Sequence, residues 1–357
     1  MDSPRTKSYF SRRHKVLIYV VFLSLLAGVF LLGAEFAFRL KGVRPWVPRE
    51  GKTESVEPGG RLAIPHPTLG YTYLPGRFTV TLANGYSYVV THLPNSLRVT
   101  QPLDNYSGAN DKPEIWIFGD SFTYGWSLND EETYPWLLQQ RLEDYQIVNF
   151  GVGGYGTIHS LLQYREALGL KRPKLAILAY AGFHDERNTL ARIWQKAITN
   201  NKSKPLKIPY ASLADDGGLQ IHLGTDFVYR EFPMMRQSAL IHSLEWNWNK
   251  VETKLLHSHQ VSEALIMEMA KLSEEHQVKF LVAAISQEDR QMLKFLTQRG
   301  IPNVDISVEF KTGRYLNLPH DRHPNAAANK LYADKLEPAV KAALLIETGS
   351  RASSLPK

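Results

Sequence analysis

The chain of 357 residues is 43% hydrophobic and 22% charged, and it contains no cysteine. That composition excludes wholesale disorder, collagen-like repeats, disulfide frameworks, cysteine-ligated metal centres and cysteine nucleophiles. The net charge of +7 is concentrated at one end: residues 1–50 carry nine Lys/Arg against three Asp/Glu and the rest is close to neutral, which gives a nucleic-acid-binding face no support.

A basic arm, residues 1–15, holds Arg5, Lys7, Arg12, Arg13 and Lys15; residues 16–34, VLIYVVFLSLLAGVFLLGA, then run without a charge. A helix of that length spans roughly 28 Å, about one hydrocarbon core. The flanking cations predict a single-pass signal anchor with a cytoplasmic N-terminus and a periplasmic or extracellular body. A cleaved signal peptide is the rival reading. Its apolar region is usually shorter, and Leu32-Gly33-Ala34 makes a poor cleavage site. Residues 41–65, rich in Pro, Gly and charge, read as a linker. Residues 66–112 read as a β-rich segment, with alternating Tyr, Thr, Val and Phe around an Asn84-Gly85 hairpin turn.

From 113 to 346 strands alternate with helices. EIWIF (114–118), YQIVNF (145–150), KLAILAY (174–180), KFLVAAI (279–285) and NVDIS (303–307) predict five buried strands. Helices are predicted from Pro135 to 142, after a Thr157 cap, from a Ser286 cap to Gly300, and over 325–345. The alternation predicts an α/β fold with a parallel sheet covered on both faces. Residues 198–258 interrupt it as an insertion with a Gly217-Gly218 turn and a Trp-rich helix. Trp246 and Trp248, two apart on that helix, point in different directions and are expected to pack. Residues 347–357 form a tail, and no solenoid repeat is visible.

The chemistry collects where predicted strands end. FGDSFTYG (118–125) sets Ser121 at a strand-to-loop turn. NFGVGGYGT (149–157) carries four glycines, whose backbone can present N–H groups to an anion. No Gly-Lys-Ser/Thr follows and no dinucleotide fingerprint is present. YAGFHDERN (180–188) places His184 and Asp185 where the third apolar strand stops. Asp321 and His323 stand in HDRHPNAAANKLYA (320–333), just before the last helix. A serine, exposed amides, a side-chain donor and an Asp/His pair at one sheet edge are the parts that acyl transfer needs. Asp120 and Asp185 read as turn-bonding residues, and Asn149 as a brace for the Ser121 loop. The histidine spacings make no zinc site, so neither metal nor cofactor is expected.

In this order the four blocks resemble those of the SGNH/GDSL hydrolase family, over about residues 113–345. The resemblance implies a flavodoxin-like three-layer α/β/α sandwich with a mainly parallel five-stranded sheet. The transmembrane helix and the small β-rich segment precede it. It also implies ester hydrolysis through an acyl-serine, with Ser121 as nucleophile, His323 as general base and Asp321 as its orienting acid. The implied oxyanion hole is Ser121, Gly154 and His184, with Gly153 replacing Gly154 if the alignment shifts by one. His184 stands where the family has the asparagine of Gly-Asn-Asp. Asp321 precedes His323 by two positions instead of the commoner three, a place held by His320; the shorter spacing occurs in membrane-anchored relatives. The anchored N-terminus and the hairpin are similar to a membrane-tethered bacterial subgroup. The expected function is an extracytoplasmic esterase or deacylase acting on a carbohydrate, lipid or envelope-polymer ester. An O-acyltransferase acting on a polysaccharide and a non-catalytic envelope-binding protein on the same fold are the alternatives. The expected partners are the ester substrate and the membrane, with no nucleic acid and no assigned protein.

Overall fold

The strands and helices can be followed in a computed structural model that describes residues 12–48, 53–106, 112–199, 206–224, 226–287 and 289–345. Most of the basic arm, the tail and the start of the insertion lie outside the described residues. Two compact units are present: residues 1–48 with 230–250, and residues 49–229 with 251–357. The chain starts in the first unit with α1, Arg12–Leu40, which extends beyond both ends of the apolar run.

The second unit opens with strands β1 (Thr53–Glu57), β2 (Ala63–His66), β3 (Gly70–Tyr73), β4 (Gly76–Leu82) and β5 (Ser87–His92). β1, β4 and β5 form one antiparallel sheet, while β2 and β3 form a separate hairpin. Asn84-Gly85 makes the β4–β5 turn, with Gly85 at φ 82°, where a side chain would be strained. β1 falls inside the stretch expected to be linker. Its single buried apolar residue, Val56, pairs with Val80, and one such residue leaves almost no alternation to read. Phe78, Val80, Leu82, Tyr88 and Val90 point inward with Leu62, Leu69 and Tyr73, and this core also takes in Tyr124, Val152 and Tyr155 from the α/β body.

The body continues with β6 (Glu114–Phe118), α2 (Ser121–Tyr124), α3 (Tyr134–Arg141), β7 (Gln146–Asn149), α4 (Thr157–Leu168), β8 (Leu175–Tyr180), α5 (His184–Asn188) and α6 (Arg192–Thr199). The insertion adds β9 (Leu206–Lys207), β10 (Tyr210–Leu213), β11 (Leu219–His222), β12 (Asp226–Phe227) and α7 (Ala239–Leu255). The chain then returns through α8 (Ser258–Glu275), β13 (Lys279–Ala284), α9 (Arg290–Gln298), β14 (Asn303–Asp305) and α10 (Ala326–Leu345). The main sheet has the order β14-β13-β8-β6-β7 and every pair in it is parallel.

Alternate residues of these strands feed two cores. Ile115, Ile117, Leu175, Ile177, Leu281 and Ala283 pack with Tyr134 and Leu138 of α3 and with Tyr332, Leu336 and Val340 of α10. Trp116, Phe118, Leu178, Phe280 and Val282 pack with α4, α8 and α9 through Ile158, Leu161, Leu265, Met269 and Met292. Parallel strands covered on both faces must be apolar throughout, and β8 is buried at every position. Each of the larger side chains, Leu, Ile, Val, Phe or Met, contributes about 1.5–3 kcal/mol on full burial. The result is the three-layer α/β/α sandwich. Two helix starts differ from expectation. Gly156, not Thr157, is the N-cap of α4. Asp289 is the N-cap of α9, and Ser286 instead donates its N–H and hydroxyl to the Asp289 carboxylate.

In the first unit no residue of α1 is buried. Near its carboxyl end the Glu35 carboxylate accepts the Ser238 hydroxyl at 2.7 Å and the Ala239 and Leu240 N–H groups at 2.9 Å, closing the first turn of α7. Trp246 and Trp248, expected to pack, are 53% and 45% exposed; α7 buries Ala239, Glu245 and Asn249.

Candidate active site

Ser121 is the first residue of α2, directly after β6, and Asp120 caps that helix by accepting the Phe122 N–H at 2.9 Å. The turn is tight enough that a Cβ on Gly119 would stand 2.1 Å from Thr123 Oγ1. His323 Nε2 lies 3.0 Å from Ser121 Oγ. The other ring nitrogen, Nδ1, is bonded to Asp321 Oδ1, which also accepts the His323 backbone N–H at 2.7 Å. One carboxylate oxygen thus holds both the backbone and the ring of the same histidine, and that is how a two-residue spacing suffices. Asp321 is buried and the imidazole is 22% exposed, so the ring has a path to solvent and the carboxylate does not. Phe122 and Trp126 flank the imidazole, with ring centroids 5.9 and 6.2 Å away.

The loop after β7 lies beside the serine: a Cβ on Gly153 would be 3.8 Å from Ser121 Cβ. Asn149 ties the two loops together, donating to Thr123 O at 3.1 Å and accepting the Gly151 N–H at 2.9 Å. The Gly153 N–H donates to Tyr73 Oη at 3.1 Å, and Tyr71 Oη donates to Gly153 O at 2.6 Å. Gly154 has φ +86°, and a Cβ there would meet Tyr71 Oη at 2.3 Å, so both conformation and space require glycine. Among the described residues, neither the Ser121 N–H nor the Gly154 N–H donates to a protein acceptor.

His184 differs in placement from its expected partners. It opens α5 and is fully buried, with Nδ1 3.3 Å from Thr157 Oγ1 and Nε2 3.6 Å from Asp120 Oδ2. Asp120 Oδ2 also accepts Arg187 Nη1 at 2.9 Å, and the same nitrogen donates to Tyr155 O at 2.7 Å. Burial alone would raise the Asp120 carboxyl; His184, the Arg187 guanidinium and the Phe122 N–H outweigh it and hold the group at about 2. Burial pushes the His184 imidazole below its ordinary value, against the raising influence of Asp120. Asp120 and Asp185 do more than bond their own turns: Asp185 accepts from Tyr180, His259 and Ser262.

Other residues that hold the site carry no motif. Arg98 is wholly buried and sends Nη1 to Tyr124 O and Gly125 O, Nη2 to Leu128 O, each at 2.7 Å, and Nε to Asp130 at 3.0 Å. It thereby fixes the chain just after the serine helix. Asn84, at the hairpin tip, donates to His320 O at 2.8 Å, and the Tyr86 ring stacks on His320 with centroids 4.5 Å apart. The β-rich segment therefore braces the serine loop, the glycine loop and the loop of Asp321 and His323. Arg98 stands in the polar stretch PNSLRVTQ (94–101), where nothing in the sequence marks it.

Fold and site define the class, a three-layer α/β enzyme with its polar loops gathered at the carboxyl edge of a parallel sheet. The family model of the GDSL-like lipases and acylhydrolases matches residues 117–331, more than half of the chain. The chain belongs to this family, and it is a hydrolase of ester bonds. Similar solved structures include a GDSL-like lipase from Bacteroides thetaiotaomicron (14% identity, 69% of this chain and 93% of that one, TM-score 0.36). A psychrotrophic esterase from Pseudoalteromonas sp. is similar at 13% identity, with 65% and 98% covered and a TM-score of 0.37. A member of the lipolytic G-D-S-L family from Veillonella parvula is similar at 13% identity, with 62% and 94% covered and a TM-score of 0.32. No curated protein matches the sequence.

Proposed function

We propose that the protein is a membrane-anchored, extracytoplasmic esterase that works through an acyl-serine on a carbohydrate, lipid or envelope-polymer ester. The observation that carries the mechanism is the hydrogen-bond sequence Asp321–His323–Ser121, assembled from residues 202 positions apart. In this reading Ser121 Oγ attacks the ester carbonyl while His323 Nε2 takes its proton. The developing imidazolium is held by Asp321. The Ser121 and Gly154 N–H groups receive the charge on the carbonyl oxygen. His323 then returns the proton to the departing alcohol, and a water, deprotonated by the same imidazole, releases the acid. His184, buried against Asp120, acts as a positioning residue for the turn that presents Ser121.

A serine-directed phosphonate tests this directly. It is expected to label the wild type and not Ser121→Ala, and Ser121→Ala and His323→Ala are each expected to abolish turnover of a short-chain ester. Their residual rates should be similar, because nucleophile and base act as a unit. Normal turnover by Ser121→Ala overturns the assignment. Product analysis with an added glycan hydroxyl separates hydrolysis from acyl transfer, since only the acceptor differs. The anchor reading is supported by the exposed apolar side chains of α1 from Val16 to Leu32. It requires that the mature chain keep residues 1–34 and that a reporter fused after Lys357 lie outside the cytoplasm.

A further inference from the structure

Helix α7 is built the wrong way round for a helix bathed in water. It buries the polar side chains of Glu245 and Asn249 while Leu244, Trp248, Val251 and Leu255 are 52%, 45%, 46% and 64% exposed. These four follow one another at i, i+4, i+7 and i+11, the spacing that keeps side chains on a single stripe of a helix. Lys250 and Lys254 are part of the same helix, and Lys250 Nζ lies 3.7 Å above the Trp246 ring. An outward stripe of Leu, Val and Trp accompanied by lysines is the composition of helices that lie in the plane of a membrane surface.

The occupant of that stripe is indicated by what holds the start of the helix. Glu35, one residue past the apolar run of α1, caps α7 through Ser238, Ala239 and Leu240. Arg39 donates to Gln237 O at 2.8 Å, the Trp46 N–H to Met235 O at 3.0 Å, and His242 Nδ1 to Arg44 O at 2.7 Å. If α1 spans a bilayer, its apolar run ends at the boundary of hydrocarbon and headgroups, and the first turn of α7 is fixed at that level. From Leu240 to Trp248 is about 12 Å along the helix axis. The headgroup layer on each side of the hydrocarbon is itself about 5–8 Å thick. Tryptophan is enriched at this depth, where its ring meets acyl chains and its N–H meets water, and lysines near it attract anionic headgroups.

We propose that α7 is an interfacial helix whose Leu244–Trp248–Val251–Leu255 stripe rests on the lipid surface beside the anchor. The proposal rests on the reading of α1 as a retained membrane span. The absence of native cysteine makes the test direct: nitroxide labels on L244C, W248C, K250C and V20C, each in the full chain reconstituted into vesicles of zwitterionic and anionic phospholipid. Collision with dissolved oxygen reports lipid, and collision with a water-soluble nickel chelate reports solvent. All four side chains are exposed or on the apolar run, so the labels do not disturb a core. The expected result is that V20C, L244C and W248C lose chelate access and gain oxygen access, while K250C keeps chelate access. V20C in lipid with L244C and W248C open to chelate overturns the interfacial helix and leaves the anchor standing. Shielding of L244C and W248C from both reagents also overturns it, because a protein then covers the stripe. Chelate access at V20C overturns the anchor reading and this proposal with it.

Discussion

Tyr73 Oη accepts the Gly153 N–H at 3.1 Å, which joins a strand upstream of the family-matched region to the glycine loop beside Ser121. The phenol is held in place by His92, stacked on it at 5.0 Å, and by Tyr124 at 4.6 Å. The β-rich segment is thus part of the framework that fixes the geometry of the loops around Ser121.

Tyr73→Phe keeps the ring and removes the acceptor. The orphaned N–H costs about 1–3 kcal/mol in a partly buried loop. We expect kcat on a small acyl ester to fall by about tenfold or more, and the melting temperature to drop by no more than several degrees, since the ring stays packed. Steady-state kinetics beside thermal melts check this; an unchanged kcat shows that the glycine loop holds its position without Tyr73.

Arg98→Met leaves four carbonyls, those of Tyr124, Gly125, Leu128 and Val89, and Asp130 without their cation. Breaking a buried pair by removing one partner typically costs 3–5 kcal/mol, so a loss of about 4 kcal/mol is expected. Arg98→Lys should recover little, because one ammonium cannot reach the same set of oxygens as a fork. Urea midpoints of the two variants decide it, and an Arg98→Lys protein as stable as wild type contradicts the account.

His184→Ala removes a buried ring packed between Asp120 and Thr157. A positioning role predicts a lowered melting temperature together with a lowered kcat, and His184→Asn should restore part of both by refilling the buried site with a polar side chain beside Asp120 and Thr157. The opposite signature, a fall in kcat of about 10²–10³ with no change in melting temperature, is that of a lost oxyanion donor. It would place His184 in direct contact with the reacting carbonyl.

Asp289 supplies a pH test of stability. Burial raises its carboxyl from the ordinary value to about 7, against the lowering influence of the Ser286 and Gly182 donors. With the folded-state value above the unfolded one, the folded protein binds the extra proton between about pH 4 and 7, and stability falls as pH rises through that window. Asp289→Asn should therefore stabilise the protein at pH 8, by up to about 4 kcal/mol. At pH 4 the gain should vanish. Equal effects at both pH values would mean that Asp289 is ionised throughout.

The sequence by itself determined the α/β sandwich, because five apolar runs separated by amphipathic helices have few other ways to bury both faces of a sheet. It also marked the polar and glycine-rich blocks, since Ser121 and the glycine loop follow the ends of apolar strands and the Asp321/His323 pair stands just before the last helix. Beyond Asn149 it did not find the supports. β1 is too short to show alternation, and Arg98, Tyr71 and Tyr73 act on loops far away in the chain, through backbone atoms that any sequence would supply. The orientation of His184 and the exposure of Trp248 were likewise decided only in three dimensions. An imidazole at the end of β8 can turn toward cleft or core according to its neighbours, here Asp120 and Thr157. Whether a tryptophan on an amphipathic helix packs or stands free depends on which face the rest of the molecule covers, and in α7 the covered face carries Glu245 and Asn249.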